Sequence, residues 1–102
     1  MASELDIDKK KQYEAKAKAE LDKLNAQIDE LQAEANKATA ETKLKYQSQL
    51  ENLRAKRDTA QTRFESMQQA AEGAWEEMRE GVDTAWKDLQ TAFKKAKAEF
   101  DA

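Results

Sequence analysis

Apolar residues recur along most of this chain at alternating spacings of three and four residues. Between Ala17 and Ala38 they form a heptad repeat that resumes at Leu50, a pattern typical of helices that pack in a left-handed coiled coil. Between Ala74 and Phe100 the repeat is eleven residues, about three helical turns, so its members share one side of a helix. The pattern predicts helix throughout. The side chains predicted to form helix-packing or oligomer interfaces are Leu21, Leu24, Ile28, Leu31, Leu50, Leu53, Phe64, Met67, Trp75, Met78, Val82, Trp86, Leu89, Phe93 and Phe100.

The same pattern divides the chain into three segments. Residues 1–12 contain a candidate N-cap at Ser3 but do not extend an apolar stripe, and we expect them to fray. Residues 13–72 are predicted to form one long heptad-patterned helix. Residues 74–102 are predicted to form an amphipathic C-terminal helix that contains both tryptophans.

Gly73 is the best candidate for a break in the helix. It falls on the solvent face, where a mid-helix Gly costs about 1 kcal/mol relative to Ala, and Gly is the usual residue just past a helix end. Against a break, the eleven-residue phase runs uninterrupted from Leu53 to Trp75. Both alternatives therefore stay open, and a hairpin at Gly73 would place Tyr46 near Phe100.

A second candidate break lies in residues 36–42. The core-side positions around it are small, namely Ala35, Ala38 and Thr42, and the spacing here becomes a run of fours. Such a stutter locally unwinds a left-handed supercoil. No Gly, Pro or dense polar cluster supports a turn, so a continuous helix is favoured.

The predicted fold is all-α, a long-helix coiled coil that forms either a rod or a hairpin with a break near Gly73. The alternative is a three-helix bundle with arms near 5–36, 42–72 and 75–100. A single long helix cannot bury its own apolar stripe. We therefore predict a homo-oligomer, most simply a dimer.

Composition separates this helical prediction from a disordered chain. Charged residues make up 38% of the sequence, against about 25% in ordinary domains. The chain has no Pro and only two Gly, whereas disordered chains are usually enriched in Pro, Gly and Ser. The common residue types are good helix formers, so we expect helices with extensive charged surfaces.

The charges are interleaved rather than segregated. The formal net charge is −3, and no basic block stands out. Nucleic-acid binding needs a concentrated positive surface, so we predict no nucleic-acid partner. One set of acidic residues falls on an exposed side of the C-terminal region. It could be a weak cation site or a binding surface for a basic partner, but we favour a solvated face without a binding role. Its members are Glu72, Glu76, Glu80 and Asp83.

Two absent residue types limit the chemistry. The chain contains no His and no Cys, which excludes Ser-His-Asp and Cys-His nucleophile systems and thiolate or imidazole metal sites. No Gly-rich phosphate loop is present. We therefore predict a protein that is not an enzyme and has no catalytic, cofactor-binding or metal-binding residues and no small-molecule substrate.

The start of the sequence lacks an apolar run, and no window approaches the roughly 20 apolar residues of a membrane span. We therefore expect a cytoplasmic protein. As an alternative, the helix over 74–100 could lie in a membrane surface. Its polar face carries seven acidic residues against five basic ones, which favours protein packing over contact with anionic lipid.

Three pieces of the sequence together suggest a family. They are KAELDKLNAQIDELQAEA at 18–35, KYQSQLENLRAKRDTAQ at 45–61 and AWEEMREGVDTAWKDLQTAFKKA at 74–96. Together they resemble a family of small, largely uncharacterised bacterial coiled-coil proteins from cyanobacteria and proteobacteria, some of which carry a stress-response label. The resemblance implies no catalytic residues. It suggests a structural or stress-protective role exercised through self-association of long amphipathic helices.

Overall fold

The computed structural model describes residues 4–71 and 73–101, which form three helices joined by two short turns. Helix α1 spans Glu4–Asn36, α2 spans Ala40–Gln68 and α3 spans Trp75–Asp101. The helices pack side by side into a bundle of 58 × 18 × 17 Å. The all-α prediction is confirmed, in the form of the three-helix bundle. Ser3 and its predicted cap lie outside the described residues.

The chain reverses direction at Lys37–Thr39, so the prediction of one continuous helix over 13–72 is wrong. The amides of Lys37 and Ala38 bond to carbonyl oxygens three residues earlier, at 3.1 Å each, which tightens the end of α1. Thr39 then adopts extended backbone angles, φ −64° and ψ 162°, and α2 begins. None of the described residues other than Gly has a positive φ, so this turn needs neither Gly nor Pro. The turn forms because folding back lets α2 cover the apolar stripe of α1.

The second turn uses Gly73. This residue has a φ of 88°, a left-handed conformation that Gly adopts without the steric cost of a Cβ atom. Lys10 reaches across from α1, and its Nζ donates hydrogen bonds to the carbonyl oxygens of Gln68 at 3.1 Å and Ala70 at 3.4 Å. A cation at these carbonyls satisfies acceptors that the end of α2 leaves free.

The hairpin at Gly73 brings together the two aromatic residues that its geometry predicts. The rings of Tyr46 and Phe100 stack with centroids 3.7 Å apart. The Tyr46 hydroxyl also donates a 3.2 Å hydrogen bond to the Phe100 carbonyl. This contact closes the end of the bundle opposite to Gly73.

The core of the bundle consists of the apolar positions picked out by their spacing. Twelve of the fifteen predicted packing residues are buried: Leu21, Leu24, Ile28, Leu31, Leu50, Leu53, Phe64, Met67, Trp75, Val82, Leu89 and Phe100. Trp86 and Phe93 pack against this core but are only half-buried. Met78 is 42% exposed in the single chain, so it does not belong to the core of the bundle, and its predicted place in an oligomer interface stays a prediction. It lies in the first turn of α3, in which Trp75 is the residue buried in the core.

Candidate binding groove between α1 and α3

The three helices do not pack equally well. Helix α2 packs extensively on α3 and on α1, whereas α1 and α3 have few direct contacts with each other. Because both are antiparallel to α2, α1 and α3 run in the same direction. A groove is left open between them.

Two adjoining hollows form this groove. The first has a volume of about 280 Å³ and the second about 350 Å³, and both are lined by Glu20 and Trp86. Small residues give the first hollow its depth, because Ala17 of α1 and Ala60 of α2 line it. We call the combined surface the α1–α3 groove. It runs from Tyr13 to Gln27 along α1 and from Val82 to Lys94 along α3.

The groove has an apolar floor. Leu24, Trp86 and Phe93 line the second hollow, and Leu21 and Val82 line the first. The two aromatic rings are half-buried, so part of each stays in contact with water. Ile7, Leu44 and Met78 are also exposed, but Trp86 and Phe93 lie together in one groove with an apolar floor.

One end of the groove is closed by a polar cluster around Tyr13. The Tyr13 hydroxyl donates a 2.5 Å hydrogen bond to Asp83 Oδ1. The Arg79 guanidinium lies 5.8 Å from the centroid of the Tyr13 ring and 5.8 Å from that of Trp75, within the range of a cation–π contact. This cluster ties α1 to α3 directly.

The same cluster changes the acidity of Tyr13. Burial, the hydrogen bond to Asp83 and the negative charge of that carboxylate all raise the pKa of the Tyr13 phenol well above its usual value, in that order of importance. Arg79 opposes them more weakly. Tyr13 therefore stays a neutral hydrogen-bond donor and is a poor proton donor for catalysis near neutral pH.

Three lysines are distributed along the groove. Lys23 of α1 and Lys94 of α3 stand on opposite walls of the second hollow, and Lys16 lines the first. Among the described residues, none of these three lysines has a carboxylate within ion-pair distance. The acidic residues of the groove are Glu20 and Asp83, and the second of these already accepts the bond from Tyr13. The lysines are thus available to an external carboxylate.

The opposite edge of α3 carries the opposite charge. Glu77, Glu80 and Asp88 surround a shallow depression of about 380 Å³ against α2, with Arg63 as its basic residue. Its base is made of small residues, Gly81, Thr84 and Ala85. A Cβ atom added at Gly81 would lie 3.7 Å from Cδ of Arg63, an ordinary contact. We call this surface the α2–α3 acidic face.

The acidic set singled out in the sequence does not form a site within the described residues. Glu72 lies outside them, and Asp83 is engaged by Tyr13. In the ranges 4–71 and 73–101, no three acidic side chains converge in a way that could hold a metal ion. Nor does any helix in those ranges combine the length and apolar character needed to cross a bilayer.

Sequence reasoning missed the groove. Tyr13 and Asp83 are 70 residues apart, and Lys23 and Lys94 are similarly distant. Only the juxtaposition of α1 and α3 brings each pair together. The available signal was the position of Trp86 and Phe93 toward one edge of the α3 stripe, because edge positions are the ones left half-covered.

Comparison with protein-family models, with curated proteins and with solved structures finds no match to this chain. The resemblance to small bacterial coiled-coil proteins therefore stays a hypothesis based on the quoted segments.

Proposed function

We propose that this chain is a non-enzymatic structural protein that acts by self-association, with the α1–α3 groove as its binding surface. The observation that carries the proposal is the half-covered pair Trp86 and Phe93 on the floor of that groove. Neighbouring large apolar side chains that stay partly exposed to water within one groove are typical of interaction surfaces. A helix laid in the groove would cover both rings and complete a four-helix arrangement.

The residue chemistry supports a role without catalysis. The sequence has no His or Cys, and the raised pKa of the Tyr13 phenol moves that group away from acid–base work at neutral pH. The groove offers apolar contact and charge, which are the properties of a binding surface. We accordingly propose neither a substrate nor a cofactor.

In the three-helix bundle, the chain no longer needs a second copy in order to fold. A lone amphipathic helix would need a partner to fold, but here α2 and α3 cover most of the stripe within one chain. Association through the groove would therefore join folded monomers reversibly. A dimer is the simplest product, although the surfaces described below also allow longer assemblies.

We also propose a cytoplasmic location and a stress-protective role. A cytoplasmic location is consistent with the absence of a bilayer-crossing helix in the described residues. A stress-protective role rests on the resemblance to the bacterial family alone.

Sedimentation velocity across a concentration series tests self-association. From about 20 μM to 1 mM, the weight-average mass should rise above the 11.6 kDa of one chain. Phe93→Ser should suppress the rise by removing a ring from the groove floor. Leu44→Ser is the matched control, because Leu44 is 70% exposed and lies outside the groove. A wild-type mass that stays at one chain over the whole series would contradict the proposal.

A second candidate function is membrane-surface binding. It is favoured by the same half-covered rings, because Trp86 and Phe93 lie beside Lys16, Lys23 and Lys94, a combination that suits the interface of an anionic bilayer. Co-sedimentation with vesicles of anionic lipid separates the two functions. Pelleting of the wild type that Trp86→Glu abolishes, together with a monomeric mass in solution, would favour the membrane; no pelleting would exclude it.

A further inference from the structure

We propose that the α1–α3 groove of one copy receives the α2–α3 acidic face of a second copy. This inference rests on the proposed self-association and names the two surfaces that meet. The contact is heterologous, because each copy contributes a different surface.

Charge complementarity favours this pairing. The groove contributes Lys16, Lys23 and Lys94, none of which has an ion-pair partner among the described residues. The acidic face contributes its three carboxylates, against the single basic residue Arg63. Opposite potentials on two surfaces steer their encounter and fix the register in which they dock.

The two surfaces also have similar lengths along α3. Along α3, the groove extends from Val82 to Lys94 and the acidic face from Glu77 to Asp88. The two spans cover about 18 Å and about 17 Å at 1.5 Å per residue. The groove floor presents aromatic rings, whereas the acidic face has Gly81, Thr84 and Ala85 at its base.

A two-fold dimer through the groove alone is less favourable. Parallel face-to-face docking of two grooves would bring Lys16, Lys23 and Lys94 against the same residues of the second copy. Like charges across an interface oppose association. Antiparallel docking would place Lys94 over the other end, where the Asp83 carboxylate already accepts a hydrogen bond from Tyr13. The acidic face of α3 offers the second copy a surface of the opposite sign.

The two surfaces lie on opposite edges of α3, so one copy can use both at once. A heterologous contact of this kind does not close on itself unless its rotation generates a ring. Assembly should therefore continue beyond the dimer as concentration rises, and it should weaken with added salt, which screens exposed charges.

Reciprocal charge reversal tests the pairing in the full-length chain. The groove variant is Lys23→Glu with Lys94→Glu, and the face variant is Glu77→Lys with Glu80→Lys. All four side chains are exposed, so both variants should keep the helical circular dichroism of the wild type. In each variant alone, like charges face each other across the proposed contact. Each should therefore associate at least about tenfold more weakly than the wild type. An equimolar mixture restores opposite charges and should recover association.

The control is Lys11→Glu with Lys45→Glu. It makes the same change in net charge at exposed positions that line neither surface, and it should associate like the wild type. If the wild type associates but the mixture does not recover, or if the groove variant associates unimpaired, this pairing is overturned while self-association stands. If the wild type stays monomeric, both proposals fail.

Discussion

Tyr13 in α1 and Asp83 in α3 share a 2.5 Å hydrogen bond, although they are 70 residues apart in the sequence. It is a direct polar link between two helices that otherwise make few contacts with each other. The bond requires both turns of the chain to form, so it reports on the complete bundle.

Removing the Tyr13 hydroxyl should weaken the bundle modestly. Tyr13→Phe keeps the ring, whose centroid lies 6.3 Å from that of Trp75, and deletes only the hydrogen bond. We expect a loss of about 0.5–1.5 kcal/mol in the free energy of unfolding, measured with urea. In a double-mutant cycle, Asp83→Asn should lose part of its own effect once Tyr13 is Phe. Strict additivity of the two substitutions would show that the bond contributes nothing.

The same residue predicts a pH dependence. The pKa of Tyr13 is raised in the folded chain, so above the unfolded value of about 10 the folded state binds more protons than the unfolded state. Its contribution to stability is therefore complete below about pH 10 and is lost as the pH rises through the higher folded pKa. Ultraviolet titration should show a late-ionising phenol in the wild type that Tyr13→Phe removes. If Tyr13→Phe instead removes an early-ionising phenol and the late ionisation remains, this assignment is refuted.

The two glycines should respond in opposite directions to the same substitution. Gly73→Ala places a Cβ at a φ of 88°, so we expect a loss of about 1 kcal/mol. Gly81→Ala lies inside α3, and its new Cβ would meet Arg63 only at ordinary contact distance. There we expect a gain of about 0.5–1 kcal/mol, because Ala favours the helix more strongly than Gly. Thermal or urea unfolding measures both, and equal signs would contradict the described turn.

Burial predicts a strong contrast between leucines. Leu53 and Leu89 are fully buried, so replacing either with Ala should cost about 2–5 kcal/mol through lost burial and a residual cavity. Leu44 is 70% exposed, and Leu44→Ala should change the free energy of unfolding by less than about 0.5 kcal/mol. Comparable losses at Leu44 and Leu53 would mean that the core is wrongly placed.

Spacing in the sequence was sufficient to predict the all-α class and most of the core. Ile28 and Leu89 are buried because each continues a regular stripe, and the stacking of Tyr46 on Phe100 follows from a hairpin at Gly73. These are local consequences of helical periodicity, since a residue's side of a helix depends only on its neighbours in sequence.

The turn at Lys37–Thr39 could not be predicted in the same way. Local residue preferences there disfavour a helix only slightly, and no Gly or Pro marks a reversal. The turn forms because it allows α2 to cover Ile28 and Leu31, which is a gain from distant packing. The groove could not be predicted for the same reason, because it exists only where α1 and α3 lie side by side.

Small-angle X-ray scattering on the monomer, at low concentration and high salt, tests most directly whether the chain covers its own apolar stripe. The bundle predicts a maximum dimension near its 58 Å length, with a Cα radius of gyration of 16.5 Å, slightly enlarged by side chains and hydration. A continuous helix over residues 13–72 would alone extend about 90 Å. A compact profile of the first kind supports the self-covered bundle, and a maximum dimension of about 90 Å or more would contradict it.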